Sequence, residues 1–294
     1  MQILRAAGVT DFVSIVRFTP DGGRLVAGSA DQCVRVWDLA TGAVVATIDR
    51  RPTADHRAVV LSPDGTHVVT GDGAGIRVWD AATGGLVRTI TLSRGNPYTV
   101  TVTPGGRELV ASNDPYAAPG LQFWDAATGE PLPAWSMPSP IDFSRLAFSP
   151  DGRRLAAHAG AGVAVWDVVT HQPLFDSPAA PTLGTAALAW APAGRTLASG
   201  SGNVLYVWDV LDGREVARLK QPRKHFQSAA FSPDGRTLVT VSNEATARVW
   251  DAATWRERQA YAWGAGPLKC VAFAADGLRL AAGGEKGQAV VWDV

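Results

Sequence analysis

Cysteine is scarce in this chain: there are two, Cys33 and Cys270, in 294 residues. A small secreted domain held by disulfides carries more, which excludes that class. Neither cysteine has a second cysteine or a histidine at metal-ligand spacing. Both fall in strand-like patterns, where a free cysteine acts as a small buried hydrophobe. Neither sign of charge is in excess, with 27 Lys and Arg against 27 Asp and Glu. A general polyanion binder has a basic surplus, so nucleic acid is not the expected partner, although neutrality allows a local patch. No apolar run reaches the ~18 residues needed to cross a bilayer. The start, Met1-Gln2-Ile3-Leu4-Arg5, lacks the basic lead and long apolar core of a signal peptide. A cytoplasmic protein without membrane contact is the expectation.

Enzyme signatures are missing too. There is no phosphate loop, no His-Glu-x-x-His, no Gly-x-Ser-x-Gly elbow and no Cys-x-x-Cys pair. Gly71-Asp72-Gly73-Ala74-Gly75 is glycine-rich, but it lies between strand patterns instead of opening a helix, so it reads as a tight turn. No catalytic residue, metal ligand set or cofactor is indicated.

What the sequence does have is repetition. Trp-Asp pairs stand at Trp37, Trp79, Trp124, Trp166, Trp208, Trp250 and Trp292, spaced 42, 45, 42, 42, 42 and 42 residues apart. Seven of the 11 tryptophans lie on this grid, so chance is not an explanation. A Pro-Asp-Gly-like turn precedes each pair, as in Thr19-Pro20-Asp21-Gly22 and Ser232-Pro233-Asp234-Gly235. In the first unit, Phe12 to Phe18, Arg24 to Gly28, Val34 to Trp37 and Ala43 to Ile48 read as four strands. Pro20-Asp21-Gly22, Ser29-Ala30-Asp31 and Ala40-Thr41-Gly42 read as the connections between them. Proline pre-sets φ, aspartate bonds its own backbone and glycine accepts positive φ. One such sheet cannot bury both faces alone, whereas seven stacked radially can. The tryptophan, which buries on the order of 200 Å², is the natural filler between neighbours.

The spaced Trp-Asp pairs together with the Pro-Asp-Gly turns resemble the WD-repeat β-propeller family over the whole length. The resemblance implies an all-β chain: a single domain over residues 1–294, a seven-bladed propeller of four-stranded antiparallel blades. It also implies a non-catalytic, cytoplasmic scaffold for proteins or peptides. After Trp292-Asp293 only Val294 remains, so the last unit lacks a fourth strand. The N-terminal Gln2-Ile3-Leu4-Arg5 has the pattern of a fourth strand and is expected to complete the last blade. The excess of arginine over lysine and the abundant alanine suggest a GC-rich bacterial genome, by association only. One departure from the family is clear. Many members carry a Gly-His pair whose histidine joins an aspartate, a Ser or Thr and the tryptophan in a buried polar group. This chain has no Gly-His pair, and only Asp31, with Ser29 beside it, keeps the aspartate position. Packing without that network is expected to hold the blades.

Strand order places the inter-blade loops and the second-to-third-strand loops on one rim and the short uniform turns on the other. The loop rim gathers the candidate partner-binding residues Arg57, Arg94, Tyr98, Tyr116, Phe143, Arg223, Lys224, His225, Trp263 and Lys269. Arginines and aromatics are the types enriched at interface hot spots, though on a propeller rim they also pack against the next blade. Inter-blade basic residues, with Arg50, Arg51 and Arg145 among them, outnumber Asp49, Asp55, Asp142 and Asp176, so an acidic protein or peptide partner of a monomeric ring is expected. Two other functions would draw on residues of the same rim. A metal enzyme would use Asp11, Asp55, Asp142, His56 and His225 at the channel mouth, but these do not converge as a ligand set. A nucleic-acid binder would use Arg50-Arg51 and Arg223-Lys224.

Overall fold

The computed structural model of the chain describes residues 1–5, 9, 11–49, 59–72, 75–92, 97, 99–112, 120–135, 145–159, 162–177, 185–221, 225–243, 245–262, 266–285 and 287–294. Its strands run in the following order. The N-terminal strand is β1 (Gln2–Arg5). Blade 1 is β2 (Val13–Phe18), β3 (Arg24–Ser29), β4 (Cys33–Asp38) and β5 (Val44–Asp49). Blade 2 is β6 (Val59–Leu61), β7 (His67–Asp72), β8 (Gly75–Asp80) and β9 (Leu86–Ile90). Blade 3 is β10 (Thr99–Val102), β11 (Glu108–Ser112), β12 (Leu121–Asp125) and β13 (Pro131–Trp135). Blade 4 is β14 (Leu146–Phe148), β15 (Arg154–Ala159), β16 (Gly162–Asp167) and β17 (Pro173–Asp176). Blade 5 is β18 (Thr185–Trp190), β19 (Thr196–Ser201), β20 (Val204–Asp209) and β21 (Arg214–Lys220). Blade 6 is β22 (Phe226–Phe231), β23 (Thr237–Ser242), β24 (Thr246–Asp251) and β25 (Glu257–Ala262). Blade 7 is β26 (Cys270–Phe273), β27 (Arg279–Gly283) and β28 (Gln288–Asp293).

Each of these makes one four-stranded antiparallel sheet, and together they form the expected seven-bladed β-propeller. The seventh sheet has the order β1-β28-β27-β26, so the N-terminal strand closes the ring. It pairs antiparallel with the last strand, from Gln2 opposite Val291 to Arg5 opposite Gln288. This junction hides a strand edge that would otherwise present unpaired backbone groups.

The turn residues act as their chemistry requires. The glycine of every Pro-Asp-Gly-like turn, from Gly22 to Gly277, has φ between 66° and 74°, a conformation costly for other residues. The aspartate of the Trp-Asp pair closes the turn between the third and fourth strands. Asp38 Oδ1 accepts the Thr41 backbone N–H at 2.8 Å and the Thr41 hydroxyl at 2.9 Å. Asp80, Asp167 and Asp251 make the same pair of bonds to Thr83, Thr170 and Thr254.

The core is seven interfaces, each built the same way. Trp166 of blade 4 packs with Val110, Leu121 and Trp135 of blade 3. Trp37 of blade 1 packs with Ala272, Ala281 and Val291 of blade 7. Trp208 meets blade 4 and Trp250 meets blade 5 in the same sense. Six of the seven tryptophans are buried; Trp79 is half-buried. The expectation that packing works without polar bonds needs correction in three blades. The indole N–H of Trp79, Trp208 and Trp250 donates to Thr70 Oγ1, Ser199 Oγ and Thr240 Oγ1, each at 2.9 Å. The aligned residues in blades 1, 3, 4 and 7 are Ala27, Ala111, Ala157 and Ala282, which have no side-chain acceptor to offer.

A second inter-blade position is more unusual. The fifth residue of the second strand is Gly28, Gly71, Gly200 or Gly283 in four blades. A Cβ at Gly283 would stand 2.6 Å from Cys270 Sγ and 2.7 Å from the Val13 carbonyl oxygen, so the neighbouring first strand leaves no room for a side chain. Blade 4 has His158 there, with 0% exposure. Neither ring nitrogen has a hydrogen-bond partner among the described residues. Burial, assisted by the nearby Arg145 charge, pushes its pKa down to about 3. The folded chain therefore holds a neutral imidazole at all physiological pH values.

Three outcomes follow from this packing. Trp166→Ala is expected to cost about 3–5 kcal/mol as a core truncation, and Trp79→Ala less, because Trp79 is already half in water. Denaturant titration measures both, and equal small shifts would mean the grid residues do not fill the interfaces. Deleting residues 1–5 should lower Tm and promote association through the bared edge of β28, read by light scattering. For His158 the sign follows from the lowered pKa. The unfolded chain takes up a proton below about pH 6.5, and the folded chain does not until about pH 3. Stability is full above 6.5 and falls on acidification by on the order of 1 kcal/mol per pH unit across that window. Between pH 7.5 and 5 the wild type should lose more stability than His158→Leu; equal losses would show that the ring is protonated in the fold.

Candidate functional site

An up-and-down blade sends its first and third connections to one end of the ring and its second connection and the inter-blade loop to the other. The first connections all have five residues, at 19–23, 62–66, 103–107, 149–153, 191–195, 232–236 and 274–278. The inter-blade loops vary from five residues at 221–225 to ten at 136–145, and the second connections from two at 73–74 to eight at 113–120. One rim is thus a ring of near-identical turns, and the other carries nearly all the variation.

The turn rim is electrostatically quiet because its carboxylates are already engaged. The Thr19 hydroxyl donates to Asp21 Oδ1 at 2.6 Å, and the Gly23 N–H donates to the same oxygen at 2.9 Å. These two bonds, the hydroxyl's first, hold the Asp21 carboxyl below its ordinary pKa. Ser62 and Ser232 do the same for Asp64 and Asp234. The turns also lock to one another: the Pro63 ring lies 3.9 Å from where a Cβ at Gly106 would stand, and Pro192 and Pro233 approach Gly235 and Gly277 to 3.5 Å in the same way. Arg154 reaches across to donate to the Gly194 carbonyl at 2.8 Å, tying blade 4 to blade 5.

On the loop rim, Arg57, Arg94, Tyr98, Tyr116, Phe143, Arg223, Lys224 and Trp263 lie outside the described residues, as do Arg50, Arg51, Asp55, His56 and Asp142. His225 and Lys269 are described, one residue before β22 and β26 at the loop end of the innermost strands. His225 is exposed; its backbone N–H donates to Asn243 Oδ1 at 3.0 Å, which fixes the loop. Lys269 is half-buried, with Nζ 5.6 Å from the centre of the Phe12 ring, a cation–π contact within the chain. Arg145 stands at the equivalent place beside β14 and is exposed. Among the described residues no three His, Cys, Asp or Glu side chains come together as metal ligands.

Between the rims runs the central channel, walled by the first strands. Near the turn rim it opens into a cavity of about 480 Å³ lined by β2, β6, β22, β26 and the turns that follow them. Arg17 is the one charged residue of that lining. Sequence reasoning passed over it. The signal was available, because the aligned residues in the other blades are Val60, Thr101, Ala147, Ala189, Ala230 and Ala272, all uncharged. Water enters the channel and reaches Arg17, yet the surrounding ring of protein lowers its pKa by desolvation. Cys270, buried on β26, has its thiol pushed up to about 12 by burial, so it is an inert thiol at neutral pH. Cys33 is half-buried in β4.

The protein family described as WD domain, G-beta repeat matches residues 2–38, 53–80, 183–209, 213–251 and 261–293, together more than half of the chain. Blades 3 and 4 lie between the matched stretches and have the same four-stranded plan. Among curated relatives, the chain is 38% identical over 74 residues to the "Uncharacterized WD repeat-containing protein sll1491" of Synechocystis sp., covering 24% of this chain and 20% of the relative. It is 38% identical over 64 residues to "WD repeat-containing protein 1" of Mus musculus, covering 21% of this chain and 11% of that protein. The matched stretches thus span a fifth or less of these relatives' length. Seven four-stranded blades, a Trp-Asp pair ending each third strand, and the matched repeats together make the chain a member of the WD domain, G-beta repeat family.

Proposed function

We propose that this ring is a non-catalytic scaffold that holds an acidic protein or peptide on its loop rim and channel mouth. The fold generally serves as a protein-interaction scaffold, and the finer assignment here is our own. The observation that carries it is the asymmetry of the two ends: five-residue turns at every blade on one side, loops of two to ten residues on the other. Seven similar turns give little basis for choosing a partner, whereas variable loops on a rigid frame are where recognition concentrates. The expected charge of the partner follows from Arg57, Arg94, Arg145, Arg223, Lys224 and Lys269, with Tyr98, Tyr116, Phe143, His225 and Trp263 as apolar anchors. In this reading residues 1–294 act as one domain and one monomeric ring in the cytoplasm, and no cofactor takes part. Among the described residues no helix is long and apolar enough to cross a membrane.

The test is a pull-down from the native cell with the intact ring and two charge-reversed variants. Arg223→Glu with Lys224→Glu should weaken capture at least tenfold with Tm unchanged, because exposed loop changes usually fall within about ±0.5 kcal/mol of stability. The control reverses Arg153 and Arg236, both exposed on the turn rim. Arg154 is unsuitable as a control because it bonds Gly194 across the blade boundary. Loss of capture in the turn-rim variant, with the loop-rim variant unaffected, would overturn the assignment.

A further inference from the structure

The cavity at the turn end of the channel is outside the loop-rim reading and has a chemistry of its own. Its volume of about 480 Å³ is in the range of small-molecule pockets. Apart from Arg17, Thr19 and Ser62 its lining side chains are apolar, from Phe231 and Phe273 to the smaller Ala229, Ala230, Val271 and Ala272. Its side-chain hydroxyls, Thr19 and Ser62, are already donated to Asp21 and Asp64. That leaves Arg17. Its Nη1 donates to the Val16 carbonyl at 2.8 Å, and among the described residues it has no carboxylate partner. A guanidinium carries five N–H donors in a planar fork, so most of its hydrogen-bonding capacity faces the cavity.

Among the described residues no carboxylate acts on Arg17. The acid closest in electrostatic effect is the Cys270 thiol, which burial keeps neutral. Arg145 of blade 4 also acts on that thiol. Arg17 is exposed to the channel, so its guanidinium is open to a ligand. A lone exposed cation facing a lining whose other side chains are mostly apolar fits a ligand that brings its own anion and an apolar body.

We infer that the channel cavity binds a free aliphatic carboxylate, with the carboxylate on the Arg17 guanidinium and the alkyl body against the small apolar side chains of β22 and β26. Peptides are disfavoured, because no side chain of the lining other than Arg17 has a free polar group to meet backbone amides.

The experiment uses the full chain, titrated by calorimetry at pH 7 with sodium hexanoate, with hexanamide and with an N-acetylated tripeptide ending in a free leucine carboxylate. Hexanoate should bind at least tenfold more tightly than hexanamide, since the two differ only in the charge that Arg17 reads. Arg17→Gln should erase that preference and leave Tm unchanged or raised; a purely structural Arg17 would lower it. Arg17→Lys, which keeps the charge without the fork, should retain a reduced preference. Reversal of Arg223 and Lys224 should leave hexanoate binding intact, which separates this site from the loop rim. The inference is overturned if hexanoate does not bind, if hexanamide binds equally, if Arg17→Gln keeps the preference, or if the tripeptide binds and hexanoate does not.

Discussion

A four-stranded blade exposes two apolar faces and can satisfy neither by itself, so the whole molecule depends on the contact between one blade and the next. That contact is made seven times with one device. The tryptophan at the end of the third strand leaves its own blade and fills the surface of the preceding one, as Trp166 does against Leu121 and Trp135. Because each interface has a blade on both sides, the chain must form a closed circle or leave one face bare. The N-terminal strand closes it, lying against β28 from Gln2 to Arg5.

The repeat also explains where the fold is permissive. Alternate interfaces are not equally furnished. In blades 2, 5 and 6 the tryptophan N–H finds Thr70, Ser199 or Thr240, while in blades 1, 3, 4 and 7 an alanine stands at that place. His158 fills a slot that four other blades keep empty with glycine, and it does so buried and uncharged. Each such substitution is tolerated because the load is spread over seven interfaces, and a loss at one is a small part of the buried area. Similarly, His171 and Trp255 adopt φ of 63° and 57° where Gly42, Gly84, Gly129 and Gly213 stand in other blades. His171 is offset by its ring contact with Trp135, with centroids 4.2 Å apart.

Rigidity on one rim and variety on the other follow from the same topology. The turns between the first and second strands all take one five-residue form with glycine at positive φ, closed in several blades by a hydroxyl and an aspartate. Loops that pass from the outer strand of one blade to the inner strand of the next cross the width of the sheet, and their length is not fixed by local geometry. The framework therefore specifies the first rim closely and leaves the second free to vary.

The sequence by itself determined the class, the blade count, the turns and the closing strand. Each rests on local chemistry repeated at a near-constant period: a tryptophan every 42 residues with one spacing of 45, proline and glycine at matched offsets, and a leading strand with the pattern of a fourth strand. Those signals depend on near neighbours in the chain and so can be read along it. Arg17 and His158 could not be understood that way. Arg17 is one more charge in an alternating strand until the ring places it as the one charged residue lining a channel cavity. His158 is one more histidine until the next blade closes over it. A shared cavity and a closed-over side chain are made by residues brought together from distant blades, so only the tertiary structure decided them.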